Sequence, residues 1–558
     1  MASPRALAEL PGTHLAPLPG STPRAERPDP EKRIAVTVIV RSRTGRDALG
    51  EALDAISHRL PHERTPLSDD ELARRFGSDE KDLAAVQAFA AEHGLQVVEA
   101  SAARCAVELS GSLAAFSRAF GVRFRLFDAA KRPYRTHDSP IFVPRELRGV
   151  VEDVIGLDDR PILRPHAAAA AGGTVNELVH ADPRTLAGYY AFPPGATGAG
   201  QCVAILQFGG GYDQSDLETY FRLRGIEMPE MALVELEGQT NQPADRQTIL
   251  NCAAFYGLLD PSRTGSADPS ACEANAGAFW STIECTMDPQ ILGTVAPGVR
   301  LVTYMAPDSP QGKYAAFSQA IFDSEYAPSV INCSWGSCES QTPESSMSSL
   351  DQLFQRAALK GVTICASSGD FGDGAAICGG QATGHFPATS PYVLACGGTG
   401  VAADLSRETS WYELLAGHPM SGGGGYSQVF DLPGWQKKQG IGAGQSGRGY
   451  PDVAAKADIL NGYDVVVANL DLPMGGTSAA APMWAALVAL INQKLGRPVG
   501  LLTSLLYTDS FAAALRDVTA SGGGSCAPAP GWDPCTGLGS PVGTELLAAL
   551  SGTAAASR

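Results

Sequence analysis

Ser478 lies in GGTSAAAPMWAALVALINQKL, where two glycines give way to a long apolar run. The run reads as a buried helix. A serine in its first turn meets free backbone N–H groups and partial positive charge, which favour a developing oxyanion. The paired glycines, Gly475 and Gly476, let another backbone approach closely. A serine at such a place is also a common cap, and a hydroxyl is a weak nucleophile without a base. Histidine is the usual base. From residue 180 onward the chain offers His180, His385 and His418, none in an HGTH string, and it contains no GxSxG elbow. The base is therefore sought among carboxylates.

One segment supplies a pair. In FWSTIECTMDPQILGTVAPG, Glu284 and Asp288 are four residues apart. On a helix that is about 400° of rotation, so both face the same way. Two carboxyls so close raise one pKa and share a proton. Glu284 is then placed to accept a serine proton while Asp288 orients it. The ordinary reading of such a spacing is an exposed acidic helix face, and Pro289 predicts that the regular helix ends just after the pair. A third carboxylate, Asp370 in ASSGDFGDG, follows a buried run and precedes a glycine turn. That is the carboxyl end of a parallel strand, where open α/β sheets build sites; a turn aspartate is the plain alternative.

The elements that must position these residues fall into two blocks. Residues 1–30, rich in Pro, Ala and charge, predict a flexible segment. Next comes IAVTVIV (34–40) as a strand, then LSDDELARRF (67–76), a helix with Ser68 and Glu71 as a capping box. A second helix (82–93) stops at Gly94, and strands at 95–100 and 104–110, a helix at 112–120 and a strand at 122–127 complete a β-α-β-β-α-β order. That order predicts a split βαβ, ferredoxin-like domain over 31–165. HAAAAAGGT opens an exposed, cleavable linker, 166–180. In 181–558, buried-type strands (CVAILQF, RLVTYMA, SVINCSW, VTICASS, YVLACGG) alternate with helical segments. Such alternation indicates an α/β parallel sheet with helices on both faces. Residues 238–274 read as a surface insertion.

Composition narrows the function class. With 558 residues, 44% hydrophobic and 18% charged, the chain is globular with more than one domain. A net charge of −17 argues against nucleic-acid binding and suits solubility in acid. No apolar run has the length of a membrane span or a signal peptide. Twelve cysteines without CxxC pairs argue against a zinc site. Cys333, Cys365 and Cys396 fall in buried-type strands, and Cys526 and Cys535 flank one loop that they could bridge.

Taken together, these strings resemble the sedolisin family, the serine-carboxyl peptidases, over nearly the whole chain. The resemblance implies a pro-kumamolisin-like activation domain and a subtilisin-like catalytic domain. It implies Ser478 of GTSAAAP as nucleophile, Glu284 and Asp288 of ECTMD as general base and the acid behind it, and Asp370 of SSGDFG as oxyanion donor. Trp335 of NCSWGS matches a tryptophan near the acidic network. One calcium ion is implied in RDVT and GWD, held by the side chains of Asp517 and Asp533 and the carbonyls of Val518, Ala529 and Gly531. Read by spacing alone, those two aspartates are an ordinary turn. Two departures stand out: Ala529 where glycine is common, and Gln207 where kumamolisin-like members often carry glutamate. The expectation is an acid-active, self-processing zymogen acting on proteins or peptides, inhibited by its own prodomain, monomeric, secreted without a visible signal peptide, and binding neither nucleic acid nor membrane. Two other readings are a neutral subtilisin-like protease using His385, and a catalytically silent binding protein with this fold.

Overall fold

The computed structural model describes residues 6–165, 179–259, 267–442, 444–524 and 526–553. The N-terminal block contains β1 (Arg33–Val40), β2 (Gln96–Ser101), β3 (Ala106–Ser112) and β4 (Val151–Ile155), all antiparallel in the order β2-β3-β1-β4. The alternation of β1 decides both of its faces. Val36, Val38 and Val40 join Val86 and Phe89 of helix Glu80–Glu92 and Phe116 and Phe120 of helix Leu113–Phe120 in the domain's own core. Ile39, on the opposite face, belongs to a second core with Phe317 and Leu350 of the C-terminal block. Thr37, also on that face, accepts a hydrogen bond from Gln311 Nε2 at 3.0 Å. The predicted capping box forms, with Glu71 N donating to Ser68 Oγ and Ser68 N to Glu71 Oε2.

Two expectations for this block are corrected. The run at 122–127 is not the fourth strand of the sheet. Phe124–Asp128 pairs with Tyr134–His137 and with Thr22–Pro23 in a separate small sheet, and β4 takes the place beside β1. An adjacent hairpin partner captured the earlier run. The N-terminal segment, expected to be flexible, is seated on the domain: Leu7–Glu9 pairs with Phe142–Pro144, and Arg24 forms an ion pair with Asp128. The block's last strand, β5 (Arg164–Pro165), pairs outside its own domain. Of the expected linker 166–180, residues 166–178 lie outside the described residues; Val179 and His180 begin a short strand parallel to Asn461–Val467.

The C-terminal block is built on β6 (Cys202–Phe208), β7 (Glu230–Glu235), β8 (Arg300–Ala306), β9 (Val330–Cys333), β10 (Trp335–Cys338), β11 (Thr363–Ser367), β12 (Leu394–Val401), β13 (Glu408–Ser410) and β14 (Val453–Lys456). The main sheet runs β7-β8-β6-β9-β11-β12-β13, with β14 also on β12. All its pairs are parallel except β12–β13. Its central strands are buried along their whole length, as continuous apolar runs require when helices cover both faces. Three long helices pack against the sheet, α1 (Cys272–Val295), α2 (Glu344–Lys360) and α3 (Thr477–Leu495), and α1 and α3 carry site residues. The first two turns of α3 and most of its remainder are buried, and it packs on α1, β9, β11 and β12.

α1 does not stop at Pro289 but continues to Val295. Proline removes one backbone donor, yet every residue from Thr282 to Val295 is buried, so packing holds the helix straight through it. The stretch read as a surface insertion is also more than surface. Within it, Arg246–Phe255 is a helix whose Ile249, Leu250 and Cys252 enter the main core, and a Cys252–Cys272 disulfide ties it to the start of α1. Two further disulfides are present, Cys338–Cys378 and the Cys526–Cys535 bridge that the loop spacing allowed. Cys333, Cys365 and Cys396 are buried free thiols.

Candidate active site

The site is assembled where α1, α3, β9 and the loop after β11 meet. Gly476, not Ser478, is the N-cap of α3, so Ser478 is free of the capping role and stands in the first turn. Gly476 adopts φ +84°, and a Cβ there would lie 2.3 Å from Asp370 Oδ2. Only glycine lets the Asp370 carboxyl come so near the helix start. Asp370 Oδ1 accepts from Thr477 N at 2.8 Å and from Thr477 Oγ1 at 2.7 Å. Its Oδ2 is buried with no hydrogen-bond partner. Burial pushes the Asp370 carboxyl up to about 8, against the lowering effect of the Thr477 donors.

Glu284 and Asp288 are fully buried on α1. Asp288 collects donors: Ser334 Oγ on Oδ1 at 2.9 Å, and Gln207 Nε2 and Asn332 Nδ2 on Oδ2 at 3.0 and 3.1 Å. Neither Glu284 oxygen has an aligned hydrogen-bond partner. Burial and then the charge of Asp288 push Glu284 well above the usual carboxylate range, while the nearby Ser478 hydroxyl pulls it back. Asp288 is raised by burial and lowered by its donors, Ser334 first. The two cannot both ionise readily in so dry a place, so the pair keeps at least one proton. The Ser478 hydroxyl lies near Glu284 but donates to the Ser334 carbonyl at 3.2 Å.

The structure thus gathers Ser478, Glu284, Asp288 and Asp370 in one buried cluster. Trp335 joins it through Gln207, its Nε1 donating to Gln207 Oε1 at 2.7 Å. Sequence reasoning missed Asn332, Ser334 and Thr477. Asn332 and Ser334 are two apart along an extended run, a spacing that puts both on one side, but nothing local said which side faced α1. The histidines lie elsewhere. His385 Nε2 is 3.8 Å from Cys378 Sγ, packed beneath Gly369 and Gly374. His180 Nδ1 contacts Asp464 at 3.1 Å, and His418 is exposed on a hairpin.

Toward the C-terminal end of the sequence, Asp533 Oδ1 accepts from Cys535 N and Thr536 N at 2.8 and 3.0 Å, and its Oδ2 from Ala529 N at 3.1 Å. Asp517 Oδ2 accepts from Gly531 N at 2.8 Å, so one loop brings both aspartates together. Asp533 is raised mainly by burial, with the Asp517 charge adding to it. Ala529 is not among the residues with left-handed backbone, so its side chain adds no strain where glycine is common.

Residues 21–160 match the pro-kumamolisin activation domain, and residues 271–505 match the subtilase family. Kumamolisin from a Bacillus species is 37% identical over 543 residues, which span 93% of this chain and 92% of that one. The chain belongs to the sedolisin family of serine-carboxyl peptidases. Tripeptidyl-peptidase sed5 of Aspergillus fumigatus is 26% identical over 96% of both chains. Tripeptidyl-peptidase 1 of Homo sapiens is 29% identical over 53% of this chain. A solved Pseudomonas sedolisin superposes with a TM-score of 0.53 and 26% identity, covering 69% of this chain and all of its own. This sedolisin is therefore a serine-type peptidase made with an activation prodomain, on a subtilisin-like fold. Among the described residues no helix is long and apolar enough to cross a membrane.

Proposed function

We propose that this sedolisin is an acid-active endopeptidase in which Ser478 is the nucleophile, Glu284 its general base, Asp288 the carboxyl that orients the base, and Asp370 the oxyanion donor. One observation carries the reading: among the described residues, the charged groups that most affect Glu284 beside the Ser478 hydroxyl are the carboxyls Asp288 and Asp370, and no histidine is one of them. A histidine with a pKa near 6.5 would be protonated in acid. A glutamate beside a proton-sharing partner still has an ionised form to offer. As Ser478 Oγ attacks the peptide carbonyl, its proton passes to Glu284, which returns it to the leaving amine. The developing oxyanion accepts a hydrogen bond from protonated Asp370 Oδ2, the oxygen left without a partner. The test is hydrolysis of a denatured protein by the acid-processed enzyme at pH 4 and at pH 8. Equal rates at both would favour the neutral, histidine-based alternative.

The prodomain supports latency. β5 lies antiparallel on β10, with Arg164 opposite Gly336 and Pro165 opposite Trp335. β10 follows Ser334, whose carbonyl holds the Ser478 hydroxyl. The prodomain's own backbone so occupies a strand edge beside the nucleophile, as an extended substrate would. Asp308 fastens it there, accepting from Leu163 N at 2.7 Å and Lys131 Nζ at 2.9 Å. We place the activation cut beyond Pro165, within 166–180, between a prodomain at 31–165 and a catalytic domain at 181–558. Three disulfides, which persist in oxidising compartments, support export from the cell. We take the working form to be a monomer.

The loop holding Asp517 and Asp533 offers two carboxylates, with the main-chain carbonyls of Val518, Ala529 and Gly531 nearby in the chain, all hard oxygen donors that fit calcium. A bound ion would neutralise the two like charges and hold the disulfide-closed loop in place. At a hundred times its Kd, a ligand bound only by the native state adds about 3 kcal/mol. Chelation is therefore expected to lower the melting temperature of the processed enzyme by several degrees, with recovery on adding calcium. A melting curve indifferent to chelator removes the assignment.

A further inference from the structure

Gln207 ends up fully buried on β6, in contact with both members of the Glu284–Asp288 pair. Its four contacts agree on one orientation. Trp335 Nε1–H can only donate, and it meets Oε1 at 2.7 Å. The Cys285 thiol donates to the same oxygen at 3.4 Å. The amide nitrogen then has both hydrogens directed at acceptors, Asp288 Oδ2 at 3.0 Å and the Glu284 carbonyl at 3.4 Å. A flipped amide would set donor against donor on one side and acceptor against acceptor on the other. An ionised glutamate in this place would turn a bare acceptor toward Asp288 and the Glu284 carbonyl. The site is built for an amide.

We infer that Gln207 is a positioning residue for the Glu284–Asp288 pair: its amide, oriented by Trp335, donates permanently to Asp288 Oδ2 and keeps the shared proton off that oxygen. Asn332 Nδ2 donates to the same oxygen at 3.1 Å, which leaves it no lone pair to spare for a proton. A proton on Asp288 is confined to Oδ1, the oxygen that Ser334 also reaches. Because the amide is neutral and cannot titrate, the pair does not share its charge with a third acid. The other ionisable groups facing it carry no charge in acid: Asp370 is raised to about 8, Cys285 is pushed well above its usual range by burial, and Cys333 is pushed up to about 12 by burial. The largest influences on either carboxyl include no cation. With no third charged acid beside it, the Glu284–Asp288 pair can give up its first proton at lower pH than it could beside an ionised glutamate.

This inference rests on Glu284 acting as the base, so the experiment has an arm for each. The full chain is acid-processed in calcium, and the pH dependence of kcat/KM and of self-processing is followed for wild type, Gln207→Glu, Gln207→Leu and Glu284→Gln. Gln207→Glu is expected to move the acid limb upward by roughly one pH unit, by adding a like charge. Gln207→Leu, which fills similar space but cannot donate, is expected to move it in the same direction with KM little changed. Acid limbs that coincide with wild type in both variants, or a uniform loss at every pH, would reduce Gln207 to a packing residue and overturn the inference. Should either variant fold poorly, the limb is read from the remaining one. Glu284→Gln is expected to be inactive throughout; an active Glu284→Gln enzyme removes the base assignment itself, whatever Gln207 does.

Discussion

Ser478→Ala leaves the chain uncut at 558 residues after acidification, while the wild-type chain sheds its prodomain. The same substitution lowers kcat on the order of 10⁴- to 10⁶-fold on any peptide, the range seen when a subtilase loses a member of its catalytic set. The structure makes this a clean experiment. Ser478 Oγ gives one hydrogen bond, to the Ser334 carbonyl at 3.2 Å, and three alanines follow it in the helix. Alanine suits a helix interior, so the melting temperature should stay near that of wild type. N-terminal sequencing of the wild-type product is expected to find the cut beyond Pro165, because Arg164 and Pro165 lie strand-paired on β10 ahead of the nucleophile. Catalytic amounts of wild-type enzyme mixed with the Ser478→Ala chain separate cutting within one molecule from cutting between two. A Ser478→Ala chain that shortens on its own as fast as wild type would mean that this serine does not perform the cleavage.

Asp370 carries the second large effect. Burial raises its carboxyl from 3.8 to about 8, so it is a neutral acid throughout the acid range. Thr477 occupies Oδ1 as donor on two sides, so the proton belongs on Oδ2. Asp370→Ala removes that donor and is expected to lower kcat by about 10²- to 10³-fold with little change in KM. Asp370→Asn keeps a donor in the same place, since Thr477 still demands an oxygen on its side. Asp370→Asn should be impaired less, and its alkaline decline should no longer follow the ionisation near pH 8. The same group sets a sign for stability. A carboxyl whose folded pKa is raised binds a proton that the unfolded chain gives up sooner. Its contribution is fully present below about pH 4 and is lost as the pH rises through about 8. Relative to wild type, Asp370→Asn is therefore expected to gain melting temperature on going from pH 4 to pH 8. A constant difference across that range, or an Asp370→Ala enzyme of full activity, argues that Asp370 is only a cap on α3.

Much of the arrangement is legible in local sequence because it depends on local spacing. The glycines before Ser478, the four-residue step from Glu284 to Asp288, the Ser68–Glu71 box and the run of apolar strands each follow from the geometry of one element. Tertiary packing decided the rest. Pro289 lost its power to end α1 once every side of the helix was buried. The run at 122–127 has strand character wherever it sits, and only the neighbouring hairpin strand determined that β4 would close the prodomain sheet. The direction of the Gln207 amide depends on Trp335 and Cys285, residues far along the chain. Periodicity and capping act through neighbours in the chain, so one sequence contains them. Strand partnership, helix continuation and the polarity of a buried amide are set by groups that meet only after folding, and those the structure alone supplied.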